Sequence, residues 1–151
     1  VFLEGEWEDE SLIGRMTLNF HLAAVDYYWE TREFAKMGSS LSAIADYFKD
    51  LELDEQETHE LGKYFNSHYR MAWAISLMQP WIDRNEYSTN FLYTYLSAAI
   101  FYKTMVPWEQ YFPLLQEASD RDTGRFCELM DKEFQRKRAP QVKELYCRKC
   151  N

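Results

Sequence analysis

Glycine and proline are scarce here, with five and four residues in 151. So little of either does not suit a disordered chain, and no strand pattern of convincing length is present. Cysteine is rarer still. Three residues are too few, and odd in number, for a disulfide framework. Reduced thiols in a cytoplasmic setting are the simplest expectation, and the fold must then stand on its apolar core. No apolar run approaches the roughly 18 residues that a membrane-spanning helix needs, so no membrane partner is expected. The chain starts at Val1 rather than Met, which leaves room upstream for a removed signal peptide. Gly-x-Ser-x-Gly is missing, and so is any glycine-rich phosphate loop. Classical nucleophilic and phosphate-loop chemistry therefore have no anchor.

What is present is apolar and aromatic. Hydrophobic residues make up 46% and aromatics 17%, too much for a disordered chain. The length fits one domain with a substantial core. Net charge is -8, unevenly spread. Residues 1–60 hold fifteen acids against four bases, whereas residues 119–151 hold six acids against nine bases. A negative field gathered at one end repels phosphate backbones and anionic lipid, so nucleic acid is not an expected partner and a basic protein is.

Apolar residues recur at three- and four-residue steps nearly throughout, the helical period. Leu12, Ile13, Met16, Phe20, Ala23, Ala24, Tyr27 and Phe34 predict a long first helix ended by "KMGSSLS", with Gly38 as its left-handed cap. Leu41, Ile44, Ala45 and Phe48 predict a short second helix. In "DEQETHE", residues 54–60, Asp54 and Glu57 have capping-box spacing and open a third helix that runs to Pro80. Ser88 caps a fourth, Pro107 fits the first turn of a fifth, and Ser119 with Asp122 caps a sixth. The expected fold is all-α, an irregular bundle of five to seven helices. It is expected to form one domain over 1–135, followed by a basic, loosely held tail over 136–151.

Candidate chemistry fails on spacing. The di-iron carboxylate bundles use Glu-x-x-His on two helices, and none of His21, His59 or His68 has a glutamate three residues before it. Cys147 and Cys150, in "CRKC", make half of a zinc or redox motif without the other half. No metal, cofactor or catalytic residue is expected, and enzyme activity is not the favoured reading. Aromatics are the remaining anomaly, since "VDYYWETREF" sets Tyr27, Tyr28 and Trp29 side by side and one helix face cannot bury all three. Tyrosine and tryptophan carry large apolar areas with polar tips and concentrate in binding hot spots.

The stretch "IGRMTLNFHLAAVDYYWETREFAKMGSSLSAIADYF" resembles the long first helix, small-residue turn and short second helix of bacterial polymorphic-toxin immunity proteins of the PoNi type. The step "AKMGSSLSAI" keeps that group's glycine and serine but lacks its aromatic. Further on, "YRMAWAISLMQPW" is similar to the group's W-x-x-S-L helix, with Trp73, Ser76 and Leu77 in the matching places. The resemblance covers about half the chain. It implies an all-helical cytoplasmic protein that binds and neutralises a cognate toxin, often a nuclease.

The leading expectation is thus an acidic helical binding protein of the immunity type, which occludes a basic toxin or nuclease. Its face would comprise Glu30, Glu33, Asp50, Glu52, Asp54, Glu55, Glu57 and Glu60, with Tyr28, Trp29 and Trp81 as anchors. The alternatives are a metal-carboxylate helical enzyme built from His21, Glu30, Glu33, His59 and His68, and a scaffold subunit of a larger assembly. A homodimer is compatible with the last.

Overall fold

The computed structural model describes residues 9–48, 52–101, 108–133 and 140–150; of these, side chains are described except at 9–15, 45, 47–48 and 133. The described residues are all-α, with no strand among them. In order they form α1 (Asp9–Glu30), α2 (Phe34–Phe48), α3 (Glu55–Ser67), α4 (Met71–Asp83), α5 (Thr89–Phe101), α6 (Trp108–Arg121), α7 (Thr123–Glu133) and α8 (Pro140–Cys150).

Eight helices exceed the expected five to seven, for two reasons. First, the helix expected to run from Asp54 to Pro80 is broken at residues 68–70 into α3 and α4. The Arg70 amide donates to the Phe65 carbonyl (2.8 Å) and the Tyr69 amide to the Asn66 carbonyl (3.2 Å), with Tyr69 left-handed at φ 58°. That pair of bonds is the Schellman ending, which satisfies orphan carbonyls and turns the chain. Glycine usually marks such a turn, and here Tyr69 hides it. Second, residues 140–150, expected within a loose tail, form α8. It buries Val142 and Leu145 and is tied to α7 by a disulfide between Cys127 and Cys150. The thiols expected to be reduced are therefore bonded, and Cys147 alone is free and exposed.

The boundary between α1 and α2 also moves. Another Schellman ending closes α1: the Glu33 amide reaches the Tyr28 carbonyl (2.9 Å) and the Arg32 amide the Trp29 carbonyl (3.3 Å), with Arg32 at φ 59°. Gly38, expected as the cap, lies inside α2. Pro80 does not end α4, which continues to Asp83; lacking an amide, it forgoes the bond to the Ser76 carbonyl, and the helix closes within a turn after it. Pro113 likewise leaves α6 fourteen residues long, and Pro107 is outside the described residues.

Backbone contacts divide the chain into two compact units, Val1–Glu57 and Thr58–Asn151, where the sequence suggested one unit to residue 135. In the first unit, α1 and α2 pack together. Leu18, Leu22 and Val25 from α1 are buried, as are Met37, Leu41 and Ile44 from α2. Each triplet has the i, i+4, i+7 spacing of a single helix stripe. Burying six such side chains supplies roughly 9–18 kcal/mol before chain entropy is subtracted.

In the second unit, α5 is the central element. Phe91, Leu92, Tyr93, Tyr95, Leu96, Ala98, Ala99 and Ile100 are all buried. It packs against α4 and α6 and touches α7, while α8 lies against α6 and α7. Ser88 caps α5 by accepting the Phe91 amide (3.2 Å). Asp122 caps α7 by accepting the Arg125 amide (3.1 Å), while Ser119, expected as part of that cap, is buried in α6 on the Gln116 carbonyl. Buried tyrosines find acceptors: Tyr95 donates to Gln79, and the Tyr93 hydroxyl sits 2.8 and 2.7 Å from the carbonyls of Ala118 and Asp122. Tyr87 donates to Glu117 (2.7 Å), which also holds Arg121 (2.6 Å) over the Tyr87 ring.

Candidate functional site

The outer face of α1 differs from what its periodicity suggested. Met16, Phe20 and Tyr27, whose spacing helped to predict the helix, are 63%, 68% and 60% exposed. At 100° per residue these three, with exposed Ala23, fall on one stripe, roughly opposite the Leu18–Leu22–Val25 seam. The helix is apolar on two faces, so spacing alone could not say which one packs. Glu30 lies on the same stripe, one turn beyond Tyr27, and is exposed. Trp29 and Phe34 meet edge to face at 6.2 Å and both are exposed, but Trp29 stands on the azimuth of the Leu18–Leu22–Val25 seam rather than on the stripe. A row of exposed apolar side chains this long is unusual on a free surface.

Carboxylates in this unit have several different roles. Residues 1–57 carry fourteen acids against four bases. Glu33 is not a bare charge: it accepts from Lys36 (2.6 Å) and Thr31 (3.0 Å). The Lys36 hydrogen bond holds its carboxyl below the usual range, and Glu33 in turn holds the Lys36 ammonium above its own. Lys36 also lies over the ring of half-buried Tyr28, 5.9 Å from its centre. Asp54 and Glu57 form the reciprocal cap that their spacing indicated: the Glu57 amide donates to Asp54 Oδ1 (2.8 Å), and the Asp54 amide donates to Glu57 Oε1 (3.3 Å). Glu57 is only 7% exposed, so it serves the fold and is withdrawn from the expected face. Glu52 and Asp54 are exposed and Glu55 is half-buried. Asp50 lies outside the described residues.

Two expected residues fall in the second unit. Glu60 is half-buried on α3. Trp81 is half-buried on α4, with the Arg84 guanidinium 4.6 Å from its ring centre. Of the expected residues in the first unit, Glu30 alone lies on the α1 stripe; Trp29 is exposed elsewhere on α1, Glu52 and Glu55 lie at the approach to and start of α3, and Asp54 is taken up in the cap.

The histidines and carboxylates weighed for metal do not converge. Among the described residues no group of three or more His, Cys, Asp or Glu side chains is placed to hold an ion. His59 instead shares a hydrogen bond with the Thr94 hydroxyl (2.8 Å), and the His68 ring lies tilted against Tyr64, 4.3 Å between centres, with its Nδ1 2.8 Å from the Tyr64 carbonyl. Among the described residues no helix is long and apolar enough to cross a membrane. No family model, curated protein or solved structure matches the chain.

Proposed function

We propose that this chain is an acidic helical binding protein of the immunity type, which occludes a basic toxin or nuclease with the outer face of α1. The observation that carries the reading is the exposed stripe Met16–Phe20–Tyr27, ending in Glu30, within a unit so rich in acids. Apolar and aromatic side chains supply the area that desolvates and holds, while Glu30 and the net negative charge of the unit steer a cationic surface towards it. The occupant is therefore a protein of net positive charge rather than nucleic acid or a membrane. The resemblance of residues 13–48 to PoNi-type immunity proteins covers this same element and adds the toxin class. A cytoplasmic site, which that resemblance implies, is a reducing one. There the Cys127–Cys150 bond would open and α8 would rest on its buried Val142 and Leu145.

The experiment is co-purification of the full chain with its partner from the organism's own lysate, followed by assay of that partner. The expected result is a basic protein, retained by the native chain and lost from a Phe20→Asp variant of unchanged helicity, whose nuclease or toxic activity one equivalent of this chain suppresses. Retention of the same partner by Phe20→Asp, or a partner whose activity is untouched, would overturn the reading.

A further inference from the structure

A second surface lies wholly within the second unit and is independent of the α1 stripe. The central helix α5 is apolar around almost its whole circumference, yet Asn90, Thr94 and Ser97 interrupt it at i, i+4 and i+7. These three share one stripe, along which Asn90 is exposed and Thr94 and Ser97 are half-buried. A groove of about 950 Å³ opens over it, with α3 contributing Lys63 and Asn66, α5 Thr94 and Ser97, and α7 Arg125 and Lys132. The volume sits at the upper end of what small-molecule sites span.

Its walls divide into fixed and available groups. Arg125 is fixed, since its guanidinium lies 4.5 Å from the centre of the Tyr93 ring and donates to Asn90 Oδ1 (2.6 Å). Thr94 is engaged by His59, and Asp131 accepts the Tyr146 hydroxyl (2.7 Å). Lys63 and Lys132 form no ion pair among the described residues, although they stand in a protein with eight excess negative charges. Ser97, Asn66 and Glu128 line the same space. Two ammonium groups call for an anion. Hydroxyl, amide and carboxylate beside them call for a ligand that also presents hydroxyl donors, because Glu128 would repel a bare anion.

We propose that this groove binds a small polyhydroxylated organic anion, a sugar phosphate or a sugar acid, with Lys63 and Lys132 on the anionic group and Ser97, Asn66 and Glu128 on the hydroxyls. Phosphate and carboxylate share the recognition chemistry, so the probes separate them.

The full chain is titrated, by calorimetry and by amide chemical shifts, with glucose 6-phosphate, gluconate, glucose and inorganic phosphate. Saturable binding of glucose 6-phosphate or gluconate is expected, with glucose and inorganic phosphate at least about tenfold weaker. Whichever of the two binds more tightly identifies the anionic group. Lys63→Gln with Lys132→Gln should weaken the ligand by about tenfold or more. Ser97→Phe, which fills the groove from a half-buried position, should abolish binding while leaving the melting temperature and helicity in place. No saturable binding of any probe would overturn the proposal, as would inorganic phosphate binding as tightly as the sugar phosphate, or binding that survives Ser97→Phe.

Discussion

The amide of Glu57 donates to the carboxylate of Asp54 while the Glu57 carboxylate accepts from the Asp54 amide, so two of the acids at the start of α3 close on each other. Charge density in a sequence is thus not the same as charge available to a partner. An N-cap acid replaced by alanine costs about 1 kcal/mol, because an orphan amide loses its acceptor. Asp54→Ala should lower the urea midpoint accordingly, and Glu57→Ala should do the same from the other side of the box. Glu30→Ala, at an exposed site on α1, should leave stability near native and act on binding alone.

That cap was legible in the sequence because it is local: acceptor and donor are three residues apart. The all-helical class and the Ser88 cap of α5 were legible for the same reason, period and neighbour being enough. The turns at Arg32 and Tyr69 were not, since neither residue type announces a left-handed backbone. Nor could spacing choose between the two apolar faces of α1, because that choice is made by α2, through Met37, Leu41 and Ile44. The Cys127–Cys150 pairing needs α7 and α8 brought side by side with Cα atoms 5.7 Å apart, a tertiary fact. Lys63 and Lys132 are likewise 69 residues apart in sequence and share a groove only in the folded unit.

Glycine replacement should show opposite signs at two positions. Gly38 lies within α2, and a Cβ there would meet nothing within 4 Å. Gly38→Ala should stabilise by roughly 0.5–1 kcal/mol through the lost freedom of the unfolded chain. Gly62 lies where α3 passes Met78, whose Sδ would be 2.6 Å from an added Cβ. Since Met78 is fully buried, Gly62→Ala should destabilise by about 1 kcal/mol or more. Denaturant titration of the two variants checks both signs.

The disulfide spans 23 residues of sequence. Chain-entropy reasoning gives about 3 kcal/mol for a loop of that size. Thermal unfolding with and without reductant should differ by that order, and Cys127→Ser should reproduce the reduced protein. Cys147→Ser should leave the oxidised melting curve unchanged, because Cys147 is exposed and unbonded.

Alkaline pH should loosen the second unit. Burial pushes the phenols of Tyr87, Tyr93 and Tyr95 up to about 12, with Glu117 adding to Tyr87, Asp122 to Tyr93 and Asp83 to Tyr95. In the unfolded chain they titrate near 10. A raised folded value means the native state holds its protons longer, so this contribution is complete below about pH 10 and is lost as pH rises from about 10 to 12. Stability measured by urea titration should therefore fall across that window. Tyr95→Phe should flatten the fall, at the separate cost of the Gln79 hydrogen bond.

The claim on which the functional account rests is that the first unit's acids and its exposed α1 stripe recognise a basic protein. The most direct measurement is the association rate of the co-purified partner as ionic strength is raised. Screening of a charge-steered encounter should slow association steeply, while Phe20→Ser should leave the association rate near native and speed dissociation. An association rate indifferent to salt, or a complex whose lifetime is unchanged by Phe20→Ser, would contradict the account.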